Sequence, residues 1–286
     1  MLGLGRRVAE AGDLGAELRQ RTAELIQRLR QAAAADGAER IGVVGTEALR
    51  QAEDGAALVD RVRELTRLRL RILSGEMEAQ LSYLGGTSFR VPPGEAATLV
   101  DVGGGSTEVV QGRGSRPTRG TSLKLGSDRI LRETRAADPP TARQAVDAAL
   151  RISMALEAAP DAPAAQVLIA TGGSAANLPV LLGRWKAFAD AGAELRDEPE
   201  REPWLVLARE SVERAVRLTA RHPSSEVARR TGLSPERARL LAGGSLILQG
   251  LLDRYQASQL VVTERGLRDG VLLRLAAAAA RSSAQG

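Results

Sequence analysis

Residues 101–108 read Asp-Val-Gly-Gly-Gly-Ser-Thr-Glu and close an apolar strand pattern, ATLVDV. A carboxylate is delivered at a strand end, followed by three glycines, two hydroxyls and a second carboxylate. Glycines let consecutive amides point into one concave nest with no Cβ in the way, a geometry that suits phosphate oxygens. In this reading Gly103, Gly104 and Gly105 cradle the anion and Ser106 and Thr107 add hydroxyl donors. Asp101 can hold a magnesium ion through its water shell. The plain alternative is a flexible β-turn, although a turn requires neither three glycines nor an acid at its edge.

Three further segments carry chemistry more weakly. Thr171-Gly172-Gly173-Ser174 also follows an apolar strand and precedes a helix, where free N–H groups and the helix dipole both favour an anion. Ser74-Gly75-Glu76-Met77-Glu78 opens a helix with two acids. Acids there favour the positive end of the dipole, and a carboxylate could instead take a proton from water attacking phosphorus. Arg50, in Thr46-Glu47-Ala48-Leu49-Arg50, could reach a phosphate oxygen as a bidentate donor.

Composition narrows the chemistry. The 286 residues contain no cysteine and one histidine, His222. Disulfides, thiolate nucleophiles and multi-histidine metal sites are therefore excluded, and a hydroxyl triad would depend on His222 alone. His222 precedes Pro223 and reads as a solvated loop residue. Carboxylates, hydroxyls, arginines and amides remain, and oxygen ligands favour magnesium over zinc. The formal charge of +5 is carried almost wholly by arginine, since Lys124 and Lys186 are the only lysines. It suits polyanions, and equally reflects a composition rich in Ala, Arg and Gly. No apolar run is long enough for a membrane span and the start does not read as a secretory signal, so a cytoplasmic protein without membrane partners is expected.

The elements that position these residues follow from periodicity. Apolar spacing predicts a helix over 14–35, a strand over 40–44, one helix through ALRQAEDGAALVDRVREL, a strand over 68–73, and a helix over 75–84 capped by Ser74. A break at Pro92-Pro93-Gly94 precedes a hairpin, ATLVDV and EVVQG, with a basic turn over 113–119 and a third strand over 121–125. A helix is read over 143–156, a strand over 166–170, a charged surface loop over 190–203, helices over 210–256, a strand over 259–263 and a helix over 266–281. The tail 282–286 is expected to fray.

In order, TEALR, RILSGEMEA, LVDVGGGSTEVV, SLKLGSDRI, ATGGSAANL, AGGSLILQGLLD and VVTERGLRDGVLL resemble the exopolyphosphatase/guanosine pentaphosphate phosphohydrolase family (Ppx/GppA). The resemblance runs from about the first helix to near the end. It implies the actin/hexokinase/Hsp70-like superfamily and an α/β fold of two ribonuclease-H-like lobes, with mixed sheets flanked by helices. Residues 1–94 would form the first lobe, completed by the C-terminal helix 267–281, and 95–266 the second.

The resemblance also implies roles. Glu78 would be the base that deprotonates the attacking water, and Arg50 would lie near the scissile phosphate. Asp101 and Glu108 would serve the metal, Gly103 to Thr107 the terminal phosphates, and Gly172 and Gly173 a loop facing the nucleotide or polyphosphate. The implied activity is magnesium-dependent release of terminal phosphate from inorganic polyphosphate. Alternatives are 5′-phosphate hydrolysis of guanosine pentaphosphate, or binding of polyphosphate or guanosine tetraphosphate without hydrolysis. The last follows from the start, where the family's D-x-G-S-N-S phosphate loop has no counterpart, so a truncated first lobe is expected. Met77 stands for a common acid, Gln80 for an arginine and Asp54 for an asparagine, and the helical C-terminal extension of longer members has no counterpart. A superfamily kinase lacks an identifiable acceptor site. A helix-turn-helix pattern over 225–241 turns its second helix toward a core, so DNA is not an expected partner. A homodimer is compatible with the sequence.

Overall fold

The computed structural model describes residues 2–88, 90–161, 167–183 and 205–283. The chain divides into two units, Met1–Glu78 with Val271–Gly286, and Ala79–Gly270. The two divisions fall inside helices α5 and α12, defined below.

The first unit begins with α1 (Leu4–Ala11) and α2 (Gly15–Ala35), then β1 (Val43–Gly45), α3 (Glu47–Gln51), α4 (Gly55–Thr66), β2 (Leu70–Ile72) and the start of α5 (Gly75–Thr87). Among the described residues its sheet is the parallel pair β1–β2. Val8, Leu14, Ala23, Leu49, Leu58, Val62 and Leu70 form its core. The single helix expected between the strands is two, broken over 52–54. Asp54 causes the break. Its carboxylate accepts the amides of Leu14 (2.8 Å) and Gly15 (3.0 Å) and a bond from Arg19 (2.5 Å), capping the start of α2 from forty residues away. Burial alone would raise this carboxyl, but those donors outweigh it and hold it below the ordinary range.

The second unit contains the rest of α5, then β3 (Ala96–Val102), β4 (Thr107–Arg113), β5 (Arg116–Leu123), α6 (Ser127–Glu133), α7 (Ala142–Leu156), β6 (Val167–Thr171) and α8 (Gly172–Leu181). After them come β7 (Leu205–Ala208), α9 (Arg209–Arg221), α10 (Ser224–Thr231), α11 (Pro235–Arg254), β8 (Gln259–Val262) and the start of α12 (Leu267–Ser283), whose residues from Val271 onward belong to the first unit. Six strands form one mixed sheet in the order β5-β4-β3-β6-β8-β7. The meander β3–β4–β5 is antiparallel, β6 and β8 continue parallel to β3, and β7 closes the edge antiparallel. The mixed sheet flanked by helices is the one the resemblance implies.

Strand alternation assigns the two faces. Val100, Val102, Val109, Leu168 and Ala170 point into a large core that takes Ile152 and Leu156 of α7 and Leu241, Ile247, Leu248 and Leu251 of α11. Ala97, Leu99, Val110, Ile169 and Val261 point the other way, onto Ala79 and Tyr83 of α5. There α5 and the start of α12 approach backbone to backbone. A Cβ on Gly85 would overlap the Gly266 carbonyl, and one on Gly270 would overlap that of Leu81.

Three further expectations need correction. Most of the basic segment 113–119 is strand, because β5 begins at Arg116 as a sheet edge that tolerates charge. Strand β7 was not expected. His222 is not a solvated loop residue: it ends α9, is partly buried, and lies 3.1 Å from Glu226. The loop expected over 190–203 lies outside the described residues.

Candidate functional site

Asp101 and Glu108 are direct register partners across β3 and β4, Glu108 pairs with Ser122 of β5, and Asp101 with Thr171 of β6. Register partners point to the same face of a sheet. One cross-strand row therefore reads Ser122–Glu108–Asp101–Thr171, on the face that α5 covers. At directly opposed positions the two carboxylates are anchored on Cβ atoms about 4.5–5.5 Å apart.

Each carboxylate is oriented by a serine. Ser82 of α5 donates to Asp101 Oδ2 at 2.7 Å, and Ser122 donates to Glu108 Oε1 at 2.7 Å. Glu108 is buried, with 2% of its surface exposed. Burial raises the Asp101 carboxyl above its ordinary value, and the Ser82 hydrogen bond offsets part of that. Among the described residues no cationic side chain forms a salt bridge with Asp101.

Above this row the hairpin turns through Gly103–Ser106. Gly103 N–H donates to the Ser106 carbonyl at 3.0 Å. The three glycine carbonyls face the start of α6. Gly103 O accepts from Ser127 N (2.9 Å), Gly104 O from Asp128 N (2.9 Å) and Arg129 N (3.0 Å), and Gly105 O from Arg129 Nε (2.8 Å). With the carbonyls so occupied, the amides of Gly104 and Gly105 have no acceptor among the described residues. Ser106 is buried beside them. Thr107 is fully buried and its hydroxyl donates to the Leu125 carbonyl at 2.6 Å, so its side chain braces the turn.

The second glycine turn meets the first. Gly172 has φ 89°, and a Cβ there would stand 2.6 Å from Asp101 Oδ1. Helix α8 begins at Gly172 itself, and its N-cap Thr171 makes no side-chain capping bond. Thr171 instead donates to the Arg265 carbonyl at 2.7 Å. The first amides of α8 are left for solvent or an anion, and a Cβ on Gly173 would meet open space.

Arg50 and Glu78 belong to the first unit. Arg50 Nη1 donates to Glu78 Oε2 at 2.6 Å and to the Leu73 carbonyl at 2.8 Å. Ser74 caps α5 by accepting from Met77 N at 3.1 Å, as its position predicts. Ser82 and Ser122 are the site residues that motif reading missed. The sequence carries only a partial signal: Ser82 falls one helical turn after Glu78 on a predicted helix, and Ser122 lies on a predicted strand, while their carboxylate partners emerge from packing and register.

The donor set suits a hard divalent cation. Among the described residues no three His, Cys, Asp or Glu side chains gather as a metal cluster. Magnesium at a phosphate site, however, typically takes one or two carboxylates and completes its shell with water and phosphate oxygens. Two adjacent carboxylates, Glu108 buried and Asp101 partly buried and without a cationic partner, fit that pattern.

A model of the Ppx/GppA phosphatase family matches residues 1–279. The chain is 27% identical over 278 residues to Exopolyphosphatase 1 of Mycobacterium tuberculosis, covering 94% of this chain and 77% of the relative. It is 34% identical over 89 residues, 31% of this chain and 18% of the relative, to the guanosine-5′-triphosphate,3′-diphosphate pyrophosphatase of Photobacterium profundum. The PPX-GPPA enzyme of Aquifex aeolicus superposes with a TM-score of 0.78 at 24% identity, covering 96% of this chain and 88% of that one, a likeness of fold.

Proposed function

This chain belongs to the Ppx/GppA phosphatase family, and on that premise we propose that it is a cytoplasmic exopolyphosphatase. It releases the terminal phosphate of inorganic polyphosphate with water as acceptor. The observation that carries the reading is the meeting of Gly172 with Asp101, which brings both glycine turns to the edge where Asp101 and Glu108 stand side by side.

In this mechanism the amides of Gly104 and Gly105 and the start of α8 at Gly172 and Gly173 hold phosphoryl oxygens. Ser106 adds polar surface, and Thr107 contributes by fixing the turn. Asp101 and Glu108 would hold magnesium, with Ser82 and Ser122 setting their rotamers. The ion supplies charge neutralisation for the phosphoryl oxygens. Glu78 accepts the proton of the attacking water. The water oxygen bonds to the terminal phosphorus, and the bridging P–O bond breaks with its electron pair on the shortened chain. Arg50 orients Glu78 through the bond described above and, on the family resemblance, lies near the scissile phosphate. Phosphoryl transfer needs alignment and charge stabilisation more than covalent participation.

Guanosine pentaphosphate is the second reading, favoured by the shorter match to the Photobacterium protein. The test is phosphate release from long-chain polyphosphate and from guanosine pentaphosphate, with and without magnesium. A larger kcat/KM on polyphosphate supports the proposal, and a larger one on the nucleotide reverses the order. Binding of either compound without release would make the protein a non-catalytic receptor.

A further inference from the structure

Helix α7 buries Ala148, Ile152 and Leu156 and turns Val146, Leu150 and Met154 outward, with 70%, 61% and 62% of their surfaces exposed. Single exposed apolar side chains need no explanation, but these recur every four residues. At 3.6 residues per turn they share an arc of about 80° with Arg143 and Glu157. The face therefore reads cation, three apolar side chains, anion. Among the described residues neither Arg143 nor Glu157 has a salt-bridge partner.

Both charges sit at the wrong end of their own helix. Arg143 is in the first turn, where the macrodipole is positive, and Glu157 is at the C-cap, where it is negative. Each would be favoured at the opposite end, and an antiparallel neighbour of the same sequence provides that.

We infer that the outer face of α7 is an interface between two copies of this chain, paired antiparallel about a two-fold axis at Leu150. In that register Leu150 meets the partner's Leu150, Val146 meets the partner's Met154, and Arg143 meets the partner's Glu157. Each guanidinium then lies at the carboxyl end of the neighbouring helix, and the misfit with its own dipole is offset. A parallel pair would instead set arginine against arginine and glutamate against glutamate. An interface reading the same from either copy is what a two-fold dimer requires. Three apolar residues per copy fall short of the roughly 1,200–2,000 Å² of a stable complex, so the dimer is weak and concentration-dependent.

The chain has no cysteine of its own, which makes the register directly testable. Under mild oxidation Leu150→Cys should cross-link as a dimer. Arg143→Cys should not, since two such residues would lie about 20 Å apart at 1.5 Å rise per residue. In sedimentation runs over a concentration series, Arg143→Glu and Glu157→Arg should each weaken self-association about tenfold, and the double exchange should restore it. Arg143→Glu also suits the dipole of its own helix, so loss of folding does not confound it. The inference is overturned by a chain that stays monomeric into the hundreds of micromolar, or by a dimer indifferent to these variants. It is equally overturned by a double exchange that fails to restore association, or by Arg143→Cys linking as readily as Leu150→Cys.

Discussion

Arg50 and Glu78 are joined by a 2.6 Å hydrogen bond, and the arginine nitrogen that makes it also reaches the Leu73 carbonyl at 2.8 Å. The second bond fixes the guanidinium against the backbone just before α5. Glu78 is thus oriented by a group whose own position is set by the main chain. A charge-assisted bond of this length is stronger than a neutral one and constrains direction as well as distance.

Replacing Glu78 with Gln keeps the shape and removes the proposed base. Turnover should fall by about 10²–10⁴-fold, with an unchanged thermal melt. Arg50→Ala should also lower kcat. In the Glu78→Gln background it should cost little more, because residues acting as a unit are not additive. Normal turnover by Glu78→Gln would remove Glu78 from the mechanism.

Ser82→Ala leaves the partly buried Asp101 carboxylate without its oriented donor. Loss of such a support typically weakens metal affinity by about 10–100-fold. Calorimetric titration with magnesium or manganese reads this directly, without turnover. An unchanged affinity would separate Ser82 from the metal site.

Gly172→Ala combines a left-handed backbone with a Cβ directed at Asp101 Oδ1. We expect a destabilisation of about 1–3 kcal/mol and a disproportionate loss of activity, since the displaced atom is the proposed ligand. Gly173→Ala, which meets open space, is the control and should melt close to wild type.

Asp54 gives a pH signature. Its folded carboxyl is held below the ordinary value of about 3.9, so the unfolded chain takes up the proton first on acidification. The stabilisation is complete above that ordinary value and is lost as pH falls through the folded one. Asp54→Ala should cost about 2 kcal/mol at neutral pH. Denaturant titrations across a pH series should show the gap between wild type and variant closing in acid.

The candidate motifs were legible because their pattern is local. Three glycines between two strands, and two acids after a serine cap, declare themselves in a few residues. What escaped reading depends on contacts distant in sequence. The helix break at Asp54 follows from a cap placed on α2, forty residues earlier, and no periodicity records it. Arg116 and Arg119 suggested a turn, whereas a sheet edge accepts charge on either side. Ser82 acquires a purpose only when α5 sets it beside Asp101, and Ser122 only when strand register sets it beside Glu108. The hydroxyl of Thr107, offered by composition to a ligand, is already spent on Leu125.

The first amides of α6 hold the carbonyls of Gly103 and Gly104 by bonds internal to the chain. The glycine turn is therefore braced in spite of its composition, with its shape set by the chain's own bonds. Under the proposed function, capture of a phosphoryl group would carry no cost of ordering that loop. In the proposed reaction the same contacts would keep the turn in shape after each phosphate leaves.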